Sequence, residues 1–253
     1  MRHFFTLLSH EIRMLLVSPS TYIATVLFLA VMGFVFTGIL DTFSLAPQEV
    51  SPAAIFFQYF WLPVLFMVPL LTMKSLAEER RLGTMETLLT TPVTTAEVVL
   101  GKYAAAYALY LTLWGATGGF FWILKKFAGE VRVFDPWPLV GGYLFIAVSG
   151  LFFIAIGILA SSLARNQAVA GILSFSMLFG LIFGGWYLGS AGWLKAEALH
   201  PLRTAVNYAQ IFRHYEDFTR GVVDLRQMLF YLSGTALALI FSILSVEAKL
   251  LHG

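Results

Sequence analysis

Six stretches of the chain carry no Asp, Glu, Lys or Arg: residues 21–40, 55–73, 103–124, 139–163, 168–189 and 228–246. Each approaches the ~20 apolar residues with which an α-helix crosses a ~30 Å hydrocarbon core, so the pattern predicts six membrane-spanning helices. Pro63 and Pro69 interrupt the second window. They predict a kinked span, because neighbouring helices can satisfy the freed carbonyls. Residues 2–17 follow a different rhythm. Phe4, Phe5, Leu8, Ile12, Leu15 and Leu16 recur on one helical face, with His3, Thr6, Ser9, His10 and Arg13 on the other. That spacing predicts an amphipathic helix lying in the membrane interface before Ser18-Pro19 turns the chain into the first span. The apolar run from Thr21 is too long for a secretory signal and no small-residue cleavage site follows it.

The polar stretch between the second and third windows, SLAEERRLGTMETLLTTPVTTAEVVLGK (residues 75–102), has an organisation of its own. Glu78, Glu79, Arg80 and Arg81 would each cost ~2.5–3.5 kcal/mol at the bilayer centre, so they stay outside it. Leu76, Leu82, Met85, Leu88 and Leu89 predict an apolar stripe on a first helix that Pro92 ends. Thr94 and Glu97 form a capping-box pattern that opens a second helix, running through Lys102 into the third span. The expectation is a hairpin on the membrane face. From the residues alone, a brace for spans 2 and 3 and a contact with a partner protein explain it equally.

Other connections are plainer. KKFAGEVRVFDPWP, with Gly129, Pro136 and Pro138, reads as a turn between spans 3 and 4. Arg165, Asn166 and Gln167 mark a tight loop between spans 4 and 5. In the long connection of about 190–226, Tyr208, Ile211, Phe212, Tyr215 and Phe218 share a face, and Gly221 is a helix stop. Asp224 with Gln227 reads as a capping pair for span 6. His214, Glu216 and Asp217 in this interfacial or re-entrant hairpin read as a solvated polar face rather than a metal site. Gly115/Gly119, Gly180/Gly184 and Gly185/Gly189 are spaced for close helix packing, within one subunit or across a dimer. The chain reads as one all-α membrane unit over residues 1–253.

Composition narrows the function. Only 12% of residues are charged, against about 25% in soluble domains. The net charge of +2 makes no field for nucleic acid. The spans hold neutral polar groups such as Thr25, Gln58, Thr112, Ser149, Ser174, Ser176 and Thr235. An ion-coupled carrier would keep ionisable groups at that depth. All five histidines lie outside the windows and Cys is absent, which disfavours a zinc or thiol enzyme. For sidedness, six spans put both termini together, and Lys and Arg split eight to eight between the two sides. Loop 41–54 has none, so the weight on early helices predicts cytoplasmic termini.

Residues 78–102 resemble the first cytoplasmic loop of type-2 ATP-binding-cassette permeases, E-x-x-x-G-T-x-E-x-L-x-x-x-P followed by Gly-Lys before the third span. Glu79, Gly83, Thr84, Glu86, Leu88, Pro92, Glu97, Gly101 and Lys102 stand at its positions. HYEDFTRGVVDLRQMLFYLS is similar to a passage before the last span in the gliding-motility and copper-enzyme-maturation branch, except that Gln227 stands where an acidic residue is common. The resemblance implies a multi-pass permease of a bacterial cytoplasmic membrane, paired with a second permease chain and surrounded by the lipid bilayer. It implies export driven by a separate ATP-binding subunit, which holds ATP and Mg. Gly101-Lys102 lacks the glycine and hydroxyl of a phosphate-binding loop. The 78–92 segment would be the coupling helix, with Met85, Leu88 and Leu89 as apolar anchors and Glu78 to Arg81 as its charged edge. Arg165, Asn166 and Gln167 would be a second cytoplasmic contact. Tyr208, Phe212, His214, Phe218, Gly221 and Asp224 would belong to an outer hairpin at the exit. Two rivals remain: a non-transporting anchor that couples an ATPase to an envelope process, and an intramembrane enzyme using groups such as Gln58 or Ser149.

Overall fold

The computed structural model describes residues 2–45, 50–83, 94–127, 136–191 and 200–252, all in helices and short turns with no strand among them. The helices are α1 (Arg2–Val17), α2 (Pro19–Leu45), α3 (Pro52–Gln58), α4 (Trp61–Thr72) and α5 (Ala77–Leu82). After them come α6 (Thr95–Ala116), α7 (Gly118–Phe127), α8 (Pro136–Leu163), α9 (Gln167–Ser190), α10 (His200–Tyr208), α11 (Ile211–Thr219) and α12 (Leu225–His252). Six helical stretches among the described residues are long and apolar enough to cross a membrane. They are Pro19–Leu45, Trp61–Leu82, Thr95–Lys126, Pro136–Leu163, Gln167–Ser190 and Leu225–Lys249, one for each charge-free window.

The second span begins later than its window. Residues 55–58 belong to α3, and the chain turns at Tyr59-Phe60 before α4 starts. Pro63 supplies the reason: its ring excludes the carbonyl four residues back, that of Tyr59, and it has no N–H to give. Pro69 sits inside α4, whose end is held by the Met73 N–H donating to the Pro69 carbonyl at 2.8 Å. Pro136 and Pro138 lie in the first turn of α8 rather than in the preceding turn; proline suits that position because first-turn N–H groups have no helical partner.

Helix α8 is the axis of the bundle, packed against α4, α6, α9, α11 and α12. Phe145, Ile146, Phe153, Ile154, Ile158 and Ala160 are all buried on it, the mark of a helix enclosed on every side. Its glycines make the room. A Cβ on Gly142 would stand 2.1 Å from the Phe57 ring, and one on Gly150 2.3 Å from Tyr110. The glycine pairs predicted to pack behave differently. A Cβ on Gly115, Gly119, Gly180 or Gly184 would meet nothing within 4 Å. Those faces make no close approach within the described chain, whereas Gly185 and Gly189 lie against Ala209 and Gln210.

Candidate functional site

The charged stretch before the third span is built onto the ends of three other helices. The Ser161 hydroxyl at the end of α8 accepts from the N–H groups of Leu76 (3.0 Å) and Ala77 (3.1 Å), so it caps the start of α5. Arg80 answers from α5: its guanidinium donates to the Ala164 carbonyl at 3.0 Å. Lys249 of α12 donates to the Ser162 and Leu163 carbonyls at 2.9 and 3.1 Å. Cations at a helix C-terminus satisfy both the orphan carbonyls and the negative dipole end. Helices α5, α8 and α12 therefore share one polar joint.

A second joint lies beside it. Lys102, on α6, reaches Glu79 of α5 at 2.6 Å and Glu11 of α1 at 2.8 Å. The three side chains are 5%, 17% and 13% exposed, so water screens this pairing little. A buried ammonium is tolerated only when paired and hydrogen-bonded, and here each partner comes from a different helix. Gly101 brings α1 close enough: a Cβ there would lie 2.9 Å from Leu7 Cδ2. Lys102 is the point at which α1, α5 and α6 meet.

Glu78 pairs with Arg81 at 2.7 Å and accepts a hydrogen bond from Gln167, which brings the 165–167 loop onto α5. Asn166 is the N-cap of α9, its Oδ1 accepting from the Val169 N–H at 2.9 Å, and Arg165 is exposed. Thr94 and Glu97 form the capping box. Thr84, Met85, Glu86, Leu88, Leu89 and Pro92 lie outside the described residues. The expected single stripe does not hold in its first part. Leu76 is buried and Leu82 is exposed, and α5 ends at Gly83, whose φ of 69° is a left-handed helix cap. Glycine takes that conformation without the Cβ penalty.

Sequence reasoning left out Glu11 and Ser161. Glu11 stands between Leu7 and Leu15 at four-residue spacing, an acid placed on the half-buried side of α1, and that misfit was the available signal. Ser161 had none, since serines within apolar windows usually bond their own helix.

Twenty residues along α8 from Ser161, roughly 30 Å at 1.5 Å per residue, a Cβ on Gly141 would collide with the Phe218 carbonyl of α11. Ile211, Tyr215 and Phe218 are buried there and Phe212 partly so, while Tyr208 stays exposed. His214 is not on a solvated face. It is buried, with Nε2 donating to the Tyr208 carbonyl at 2.9 Å. That leaves Nδ1 of the neutral ring to accept from the Tyr231 hydroxyl at 3.1 Å. Burial holds its pKa below the ordinary 6.5, against the Tyr208 carbonyl and the carboxylates of Asp217 and Asp224. No group of three possible metal ligands occurs among the described residues.

Gly221, φ 80°, ends α11: its N–H donates to the Phe218 carbonyl and that of Val222 to the Asp217 carbonyl, a Schellman cap. Asp224 opens α12 by accepting from the Arg226 N–H at 2.9 Å. Gln227 does not complete the pair; its amide donates to Asp217 at 2.6 Å, tying α12 to α11. A cleft of about 870 Å³ opens at this end, with Phe43, Gln58, Trp137, Phe212, Tyr215 and Glu216 in its wall.

The chain matches the sequence profile of a family described as ABC-2 family transporter protein over residues 5–248. Over 159 residues it is 28% identical to the protein named "Probable multidrug ABC transporter permease YbhR" of Escherichia coli K12, and equally to the protein of that name in Escherichia coli O157:H7. The aligned part is 61% of this chain and 39% of either relative, so the chain spans well under half the length of the curated relatives it matches.

Proposed function

The chain belongs to the ABC-2 family of transporter proteins, and on that footing we propose that it is a permease subunit driven by a separate ATP-binding subunit that docks on residues 78–92. The observation that carries the reading is the pair of joints around α5. A loop that only linked two spans would not need Ser161 and Arg80 tying it to α8 and Lys102 tying it to α1 and α6. A partner pushing on the 84–93 segment would load α5, and α5 would pass the load to spans 3, 4 and 6 as rigid levers. The anchors in the partner's groove are Met85, Leu88 and Leu89, flanked by Glu78 to Arg81. ATP and Mg belong to that partner. Arg165 of the 165–167 loop is a second contact.

In this reading the α5 end faces the cytoplasm, with both termini there, in a bacterial inner membrane. A second permease chain covers open faces such as that of Gly180 and Gly184. The hairpin of α10 and α11 lies at the outer face, and its cleft lines the exit for an exported substrate. The stretch HYEDFTRGVVDLRQ supports the narrower assignment to the gliding-motility and copper-enzyme-maturation branch.

Met85→Asp and Leu88→Asp test the reading. Each is expected to abolish the permease-dependent part of ATP hydrolysis and transport, while protease mapping shows unchanged membrane insertion. Transport at the wild-type rate in both variants would refute it.

A further inference from the structure

Three cations converge where α8 ends. Arg80 and Lys249 both point at its last carbonyls, sharing that of Ser162 at 3.5 and 2.9 Å. Arg165 follows immediately, within electrostatic reach of both, and has no ion-pair partner among the described residues. The nearby carboxylate of Glu78 is already held by Arg81 and Gln167. Hydrogen bonds to carbonyls leave the positive charges uncancelled, so this corner of the molecule is a net-positive patch.

Directly below the patch, α8 and α12 part to leave a groove of about 560 Å³ on the lateral surface. Leu159, Leu163, Phe241, Leu244 and Ala248 line it, and Lys249 stands at its mouth. Leu163, Phe241 and Leu244 are each about half exposed, as side chains facing bilayer are. From Phe241 to Lys249 the groove follows eight residues of helix, roughly 12 Å, enough for the upper part of one acyl chain. Ser245 also lines the slot, but its hydroxyl is turned to the Ser162 carbonyl at 3.3 Å. An aqueous ligand would not seek so apolar a slot, and a neutral lipid would gain nothing from three cations.

We infer that the groove between α8 and α12 holds an anionic phospholipid, its phosphate at Arg165, Lys249 and Arg80 and an acyl chain against Leu159, Leu163, Phe241 and Leu244. Basic pockets between membrane helices recognise acidic headgroups in this way. The site touches the same carbonyls that hold α5, so a bound lipid would stiffen the joint on the permease side. The site shares Arg80 and Arg165 with the proposed docking edge, but lipid retention by the permease chain can be read without any ATP-binding partner.

The test uses the purified chain alone, equilibrated with mixed phosphatidylglycerol and phosphatidylcholine vesicles and then analysed by native mass spectrometry for retained lipid. Wild type is expected to retain phosphatidylglycerol preferentially. Arg165→Gln should lower that preference about five-fold, since a basic residue at the surface contributes ~1 kcal/mol. Ala248→Phe, which fills the groove and leaves the charges, should lower retention of both lipids at this site. A Lys125→Gln/Lys126→Gln control at the far end should change nothing. An Arg165→Gln effect no larger than the control's would mean general surface charge, and overturn the inference. So would full lipid retention in Ala248→Phe.

Discussion

At the scale of single residues, the meeting of α1, α5 and α6 rests on Lys102. Its ammonium holds two carboxylates that would otherwise be buried together, and removing one partner of such a cluster costs ~3–5 kcal/mol. Lys102→Met is therefore expected to lower stability by about that amount in a thermal melt in detergent, whereas Arg81→Met, on the exposed pair with Glu78, should move it by less than ~1 kcal/mol. Equal effects would show that Lys102 is solvated and not a joint. His214 gives a pH signature. Its folded pKa lies below 6.5 because it is buried, so the unfolded chain binds the proton more readily. The stabilisation is then complete above about pH 6.5 and is lost as pH falls through the folded value. Asp217 and Asp224 oppose that shift and Arg213 adds to it. The melting temperature should drop on acidification from neutral pH, with a shallower slope in His214→Gln; parallel slopes would assign the effect elsewhere.

At the scale of elements, the sequence disclosed what periodicity and capping chemistry can disclose. Charge-free windows located the six spans, and Thr94 with Glu97 disclosed the start of α6, because a capping box needs only four consecutive residues. Long-range partners were not legible. Nothing in the spacing of apolar residues says that Ser161 caps α5, that Gln227 turns to Asp217, or that His214 is enclosed by Tyr208 and Tyr231, since each contact depends on how separate helices come to rest against one another. The helix stop at Gly83 was visible as a motif glycine but not as a left-handed cap. Gly83→Ala should cost ~1–2 kcal/mol by forcing a Cβ into that conformation. Gly101→Val makes the stronger test at this scale. Its branches would push Leu7 away and draw Glu11 off Lys102, so ATP hydrolysis should persist while its dependence on the permease falls. Unaltered coupling would mean that α1 is a passive anchor.

At the scale of the whole molecule, α8 joins the two ends: α5 grips its last turn and α11 packs on its second. In the proposed coupling a displacement of α5 would load this core, and the open faces of Gly180 and Gly184 leave room for the second chain proposed above. The coupling role depends on what touches the segment just beyond Gly83. The chain contains no Cys, so a single cysteine introduced at Met85 gives an unambiguous handle. Cross-linked in native membranes and identified by mass spectrometry, it is predicted to capture an ATP-binding subunit with its own phosphate-binding loop, and to resist a membrane-impermeant reagent added from outside. Labelling from outside, with only lipid or the chain itself captured, would invert the topology and contradict the coupling role.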